Sequence, residues 1–261
     1  MMEIIAQRQF NLLYVILDSL FLVLLIALLI WKKKNATLVV GLLAGILYMI
    51  VDYGIFHLAT HSRSISEGDS MFWTLLWMSL SYGFTNFTWI WLWLKKDKYL
   101  FNYSFLILLW WFVCPLLANT FGQGFHVITI QRTTGSYHGY MALLLLIGYV
   151  GAIIFNMCQK EKRHQVPLLW ILAIGILVQF GWEFGLLLGG IRSALIPSME
   201  QKLLTLVVNS LLETNLGLPY MFMIYAFYNR FRKEELTKKE EVLSFKESIS
   251  EINSRPIKNQ D

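Results

Sequence analysis

Four acidic residues stand where a lipid-spanning chain has least use for them. Asp18, Asp52, Glu183 and Glu213 each lie inside a long apolar run, and no lysine or arginine falls within any of those runs. An intramembrane carboxyl is costly and by default marks an interior or water-lined site. Without a counter-charge in low dielectric it favours its neutral form. Each of the four therefore reads as a general acid for use where water is excluded, or as a hydrogen-bonding tie between helices. Gln179 precedes Glu183 by one helical turn, Asn209 precedes Glu213, and Tyr48 precedes Asp52, so each pair shares a helix face. Tyr53, His57 and His61 form a neighbouring face beside Asp52. Trp182, Tyr82 and Tyr220 are deep aromatics whose rings would favour a cation, or simply fill the core. All four acids fall in the outer half of their runs or near the midplane. That placement implies a pocket for a lipophilic small molecule, reached from the outer leaflet or from outside.

Other chemistries find less support. His57 and His61 have the i, i+4 spacing a helix uses for zinc, with Asp52 close by, but the last apolar run contains no histidine. His126 and His138 fall on or beside a loop, so neither a metal nor another cofactor is expected. The last run also lacks a lysine, which excludes a retinal Schiff base. Nucleophile-elbow and P-loop patterns are absent. Cys114 and Cys158 fall toward opposite ends of the membrane, and no CxxC spacing occurs, so no disulfide is expected.

These residues must be positioned by membrane helices. Hydrophobic residues make up 56% of the 261 and charged residues only 15%, too little charge to cover a soluble domain of this size. A span needs about 20 apolar residues to cross a core of about 30 Å. Seven segments qualify, at roughly 10–31, 36–59, 71–94, 100–119, 137–158, 167–189 and 203–228. The first is longer than a signal-peptide core and has its lysines after it, so it reads as a retained helix. The expected fold is all-α, a polytopic bundle of seven transmembrane helices over residues 1–229, followed by a charged tail over 230–261. Basic clusters at 32–34, 95–98, 160–163 and 230–233 follow the odd-numbered spans, whereas the other loops carry few cations. The positive-inside rule thus places the N-terminus outside and the C-terminus in the cytoplasm of a cell-membrane protein. The net charge of +5 is spread over these clusters, which points to the lipid bilayer as partner and not to nucleic acid. The WIWLW stretch, 89–93, reads as part of an inner aromatic belt.

With this topology, YMIVDYGIF (48–56) and LLETNLGLPY (211–220) resemble the second-span and last-span acid motifs of the membrane-bound terpene cyclases of fungal meroterpenoid and indole-diterpene pathways. Asp52 stands where that family carries glutamate after tryptophan, and Glu213 where it carries aspartate. The resemblance implies a neutral acid that protonates an epoxide or alkene on a polyprenyl chain, with ring closure in an apolar, water-free mould. Asp52 and Glu213 would be the catalytic pair, one donating the proton and the other orienting it or taking the final proton. Glu183, His57 and Asn209 would stand beside them, with Gln179, Tyr53 and Trp182 lining the substrate site. Two other readings use the same residues differently: a proton-coupled transporter or carrier, and a non-catalytic sensor or assembly subunit that signals through its tail.

Overall fold

The computed structural model describes residues 5–133, 138–160, 165–231 and 241–254. The chain is mostly helical. Strand β1 (Ile5–Asn11) leads into helix α1 (Leu12–Trp31), and α2 (Asn35–Met49) follows and continues as a π-helix over Ile50–Ala59. After strand β2 (Arg63–Ile65), helix α3 (Met71–Met78) passes through a π-helical turn at Ser79–Gly83 into α4 (Phe84–Lys95). Helix α5 (Leu100–Phe121), strand β3 (Val127–Thr133) and helices α6 (His138–Cys158), α7 (Leu168–Leu188), α8 (Met199–Phe231) and α9 (Phe245–Asn253) complete the order.

Five helices are long and apolar enough to cross a membrane: Leu12–Trp31, Asn35–Ala59, Leu100–Phe121, Gly139–Cys158 and Leu168–Leu188. Their composition explains the pattern. On α1 the buried residues are Tyr14, Asp18, Phe21, Leu25 and Leu29, a stripe at helical spacing, while Leu20, Val23 and Leu24 on the other faces are apolar and exposed. A helix that is apolar all round needs lipid or protein on every side. Asn11 starts this helix by accepting from the Tyr14 amide at 3.0 Å, and its amide group also donates to the Ala118 carbonyl at 2.9 Å. That one side chain caps α1 and ties it to the end of α5.

Helix α4 is the packing centre. Most of its residues are buried, including Trp89 and Trp91, because α2, α5, α7 and α8 surround it. The two tryptophans are therefore core residues and not an interfacial belt. Trp89 donates to the Ser104 hydroxyl at 2.7 Å, and Trp91 meets the Tyr225 ring edge-on at 5.4 Å. The approach of α2 to α4 depends on Gly41, where an added Cβ would sit 2.7 Å from Phe84 Cδ2.

The opposite ends of the bundle are built differently. At one end β1, β3 and β2 form an antiparallel sheet in that spatial order, an element the all-helical expectation did not contain. The segment after α7 covers the free edge of β1: Gln9 donates its amide to the Ile191 carbonyl and Ser193 donates to the Gln7 carbonyl, both at 3.0 Å. A paired edge cannot recruit another strand. Gly190, at φ 72°, makes the turn that brings this segment back over the sheet. At the other end Lys34 pairs with Asp97, joining the connection between α1 and α2 to the one between α4 and α5. Helix α9 docks at this same end. Lys98 contacts Glu251 at 2.8 Å, Tyr99 donates to Glu251 at 3.1 Å, and Phe245 packs on Phe105. The charged tail is thus partly held by the bundle.

Two glycines on the α2 helix test this packing. Gly41→Leu should lower stability by about 1–3 kcal/mol through overpacking against Phe84. At Gly54 an added Cβ meets nothing within 4 Å. Gly54→Ala should therefore leave the thermal unfolding midpoint of the detergent-solubilised protein unchanged or raise it.

Candidate functional site

Strand alternation places the cations. In β3, Ile130 pairs with Arg8 of β1 and with Ile65 of β2, and Arg132 pairs with Arg63 of β2. Directly opposed residues share a sheet face, and so do residues two apart on one strand. Arg8, Ile130, Arg132, Arg63 and Ile65 therefore occupy one face. It is the inner one, since Ile130 is fully buried. Arg192, on the segment that covers β1, forms an isolated bridge with Arg8. Four guanidinium groups thus come to the same end of the bundle from the N-terminal strand and three separate connections.

Two membrane carboxylates meet them. Asp52, on the π-helical continuation of α2, lies 2.5 Å from Arg63 Nη2 and 3.7 Å from Arg132 Nη1. Glu183, on α7 and 0% exposed, lies 3.2 Å from Arg8 Nη2 and 2.9 Å from Arg192 Nε. Gln179, one turn earlier, donates to Glu183 at 3.2 Å, as the spacing predicts. The Arg8 guanidinium also lies over the Trp182 ring at 4.6 Å and the Tyr82 ring at 5.2 Å, and Arg132 lies over Phe56 at 4.8 Å. The expectation that these acids lack counter-charges fails at Asp52 and Glu183. The reason is topological: their cations are remote in sequence, on strands that fold back over the helix ends. A carboxylate clasped by two guanidiniums is a counter-ion, which is a different task from that of a neutral proton donor.

Beneath this layer lies a cavity of about 700 Å³. Its polar end is formed by Arg8, Arg63, Arg132, Arg192 and Asp52. The rest is apolar, with Met78, Phe87 and Trp91 on the central helix side and Leu216, Gly217 and Met221 from α8. Leu43 and Leu47 from α2, Ile55 from its π-helical continuation, Leu144 from α6 and Ile224 from α8 also line it and are exposed. These are lateral surfaces, so the chamber opens between α2 and the α6/α8 pair toward the side of the bundle. Both π-helical stretches border it, through Asp52, Ile55 and Phe56 in one and Tyr82 in the other. A π-turn re-aims side chains relative to an α-helix and is frequent at functional sites.

The sequence-derived candidates separate into groups. Asp52 and Trp182 line the cavity, and Glu183 with Gln179 anchors the arginines behind it. Tyr53 and His57 contact each other at 5.2 Å between ring centroids, and Tyr53 packs on Phe72; neither lines the chamber. His61 does not continue the face of His57, because the helix ends at Ala59 and His61 turns left-handed at φ 51°. Among the described residues no three His, Cys, Asp or Glu side chains converge. The side chains of Asn209 and Glu213 lie outside the described residues, although α8, which carries them, lines the cavity a turn further on. Asp18 is buried elsewhere and accepts a hydrogen bond from the Ser81 hydroxyl. The four arginines were missed as site residues; the available signal was that the cation-poor loops each place an arginine next to a span. Compared with family models, curated proteins and solved structures, the chain matches none.

Removing one partner of a buried ion pair leaves the other charge uncompensated, at about 3–5 kcal/mol. Glu183→Leu should therefore sharply lower the thermal midpoint in detergent. Adding Arg8→Met to Glu183→Leu should recover part of that loss, since it also removes one of the two guanidiniums that Glu183 pairs with. No recovery would mean that Glu183 acts chiefly through Arg192.

Proposed function

We propose that the chain crosses the membrane seven times with its N-terminus outside, and that its outer half takes up a lipophilic small molecule laterally from the bilayer. The two spans beyond the five most apolar helices are Met71–Lys95 and Met199–Phe231. The orientation rests on the basic clusters together with the Lys34–Asp97 pair, which brings the first two of them to one end of the bundle. The arginine-bearing sheet stands at the other end. The reading of the site is carried by one observation: a chamber within the usual size range of ligand sites, about 300–1,000 Å³, has an apolar flank open to the side of the bundle. A lipid-facing opening favours a ligand that partitions into the membrane over one delivered from water. The role of Asp52 is that of a counter-ion for Arg63 and Arg132, which holds the polar end together. The protein is thereby a lipid-binding membrane protein.

Two measurements test it. Topology is read from thiols already present: Cys158, which is exposed, and Cys114, which is buried. A membrane-impermeant maleimide should label Cys158 only after the cells are opened, while Glu67→Cys in a Cys158→Ser background should label in intact cells; the reverse pattern would invert the orientation. For the site, protein extracted with native lipid in polymer discs should retain a lipophilic compound enriched over bulk membrane. Leu47→Trp, which fills the lateral mouth, should reduce that enrichment roughly tenfold, about 1.4 kcal/mol. Equal lipid profiles for the two proteins would remove the cavity from consideration.

A further inference from the structure

Helix α9 rests on the bundle by its polar side. Its start is well defined: the Ser244 amide donates to Glu247 at 2.8 Å, and the Glu247 amide donates to the Ser244 hydroxyl at 3.3 Å, a reciprocal capping pair. A helix of nine residues is marginal alone, so the surfaces around it must hold it. Ser248 is fully buried on the side that faces the bundle, where Glu251 meets Lys98 and the Tyr99 hydroxyl. Phe245 and Ile249, one turn apart on another side, are 46% and 43% exposed. Lys246, Glu247 and Ser250, also exposed, occupy the third side. Burial of apolar surface is what normally docks an amphipathic helix, and here the apolar face is the one left over.

What adjoins that face is the lateral surface of α5. Phe245 packs on Phe105 with ring centroids 5.5 Å apart. Phe105 belongs to an exposed apolar stripe of α5, with Phe101 one turn before it and Leu109 one turn after. Helix α5 is long and apolar enough to cross a membrane, and as a span it presents this stripe to lipid. Phe105 follows Leu100, the first residue of α5, by five positions, about 7–8 Å at helical rise. Amphipathic helices at a membrane surface sit about 5–10 Å into the boundary between head groups and acyl chains. We propose that α9 is an interfacial helix, whose Phe245 and Ile249 enter the bilayer on the tail's side of the membrane and continue the lipid-facing stripe of α5. This end of the bundle is away from the chamber, and the proposal does not depend on what the chamber binds. Along α9 one lysine stands against two glutamates, so its hold on the bilayer is apolar and does not call for anionic lipid.

The test uses the full-length protein with Cys158→Ser, in nanodiscs holding one copy, with bimane attached at Ile249→Cys or at Ser250→Cys; the remaining Cys114 is buried. Lipid carrying a nitroxide near the top of its acyl chain should quench position 249 at least about twofold more than position 250, given an immersion of about 5–10 Å. Discs of phosphatidylcholine, with or without phosphatidylglycerol, should give the same result. In the same discs Ile249→Ser should speed amide hydrogen exchange across α9 roughly tenfold, the cost of exposing about half of an isoleucine side chain. Exchange in α5 should stay unchanged.

Equal quenching of the two positions by aqueous iodide, with none by the nitroxide lipid, would leave the face in water and overturn the proposal. Protection of position 249 from both quenchers would put a protein surface on it and overturn the proposal as well. Quenching by lipid only when phosphatidylglycerol is present would overturn the apolar hold. Unchanged exchange in Ile249→Ser would show that this side chain borders water in the native protein.

Discussion

Two carboxylates carried into the bundle by α2 and α7 oblige the structure at the sheet end to exist. A charge in an apolar interior persists only if it is paired and hydrogen-bonded. Neither helix can supply the cation itself, because a lysine or arginine in the body of a span is as costly as the acid. The solution is to bring cations in from strands beyond the helix ends. Arginine suits this task, since its long stem crosses apolar surroundings while its fork meets a carboxylate oxygen. Asp52 and Glu183 each receive two such side chains.

The sheet follows from that requirement. Three short segments from distant parts of the chain must hold arginines over fixed points on two helices, and loops alone would position them loosely. Pairing β1, β3 and β2 fixes the register, and with it the face on which Arg8, Arg63 and Arg132 emerge. A slip of one residue on any strand would turn its arginine to the other face. Arg63 and Arg132 stand directly opposite each other, a like-charge pairing that destabilises an isolated sheet. Asp52 between them removes that penalty. Sheet and helix thus depend on each other, and the ion pairs serve as the register mark that joins them.

Much of the helical layout was legible in the sequence, and most of the site was not. Apolar run length marked the spans, and the lone acids stood out because nothing else polar competes with them there. The Gln179–Glu183 hydrogen bond followed from helical spacing alone. Pairing between strands does not follow from such local patterns. VITIQRT, 127–133, alternates weakly, and its partners lie more than sixty positions away on either side of the sheet. The π-helical turn at Ile50–Ala59 broke a second inference. A helical wheel at 3.6 residues per turn groups Tyr53, His57 and His61 on one face, but the wider turn and the left-handed end at His61 separate them. Trp89 and Trp91 misled for a related reason: a window of sequence cannot tell a helix surrounded by four neighbours from one at an interface.

A bundle with no ligand to accommodate would fill the space beneath the arginines with side chains. Close packing is the rule in protein interiors, and a chamber of about 700 Å³ departs from it. The bundle leaves it open on the same side where Leu43, Leu47 and Leu144 face outward. Unfilled apolar space is unfavourable by itself. A lipophilic ligand entering from that side, as proposed, would fill it.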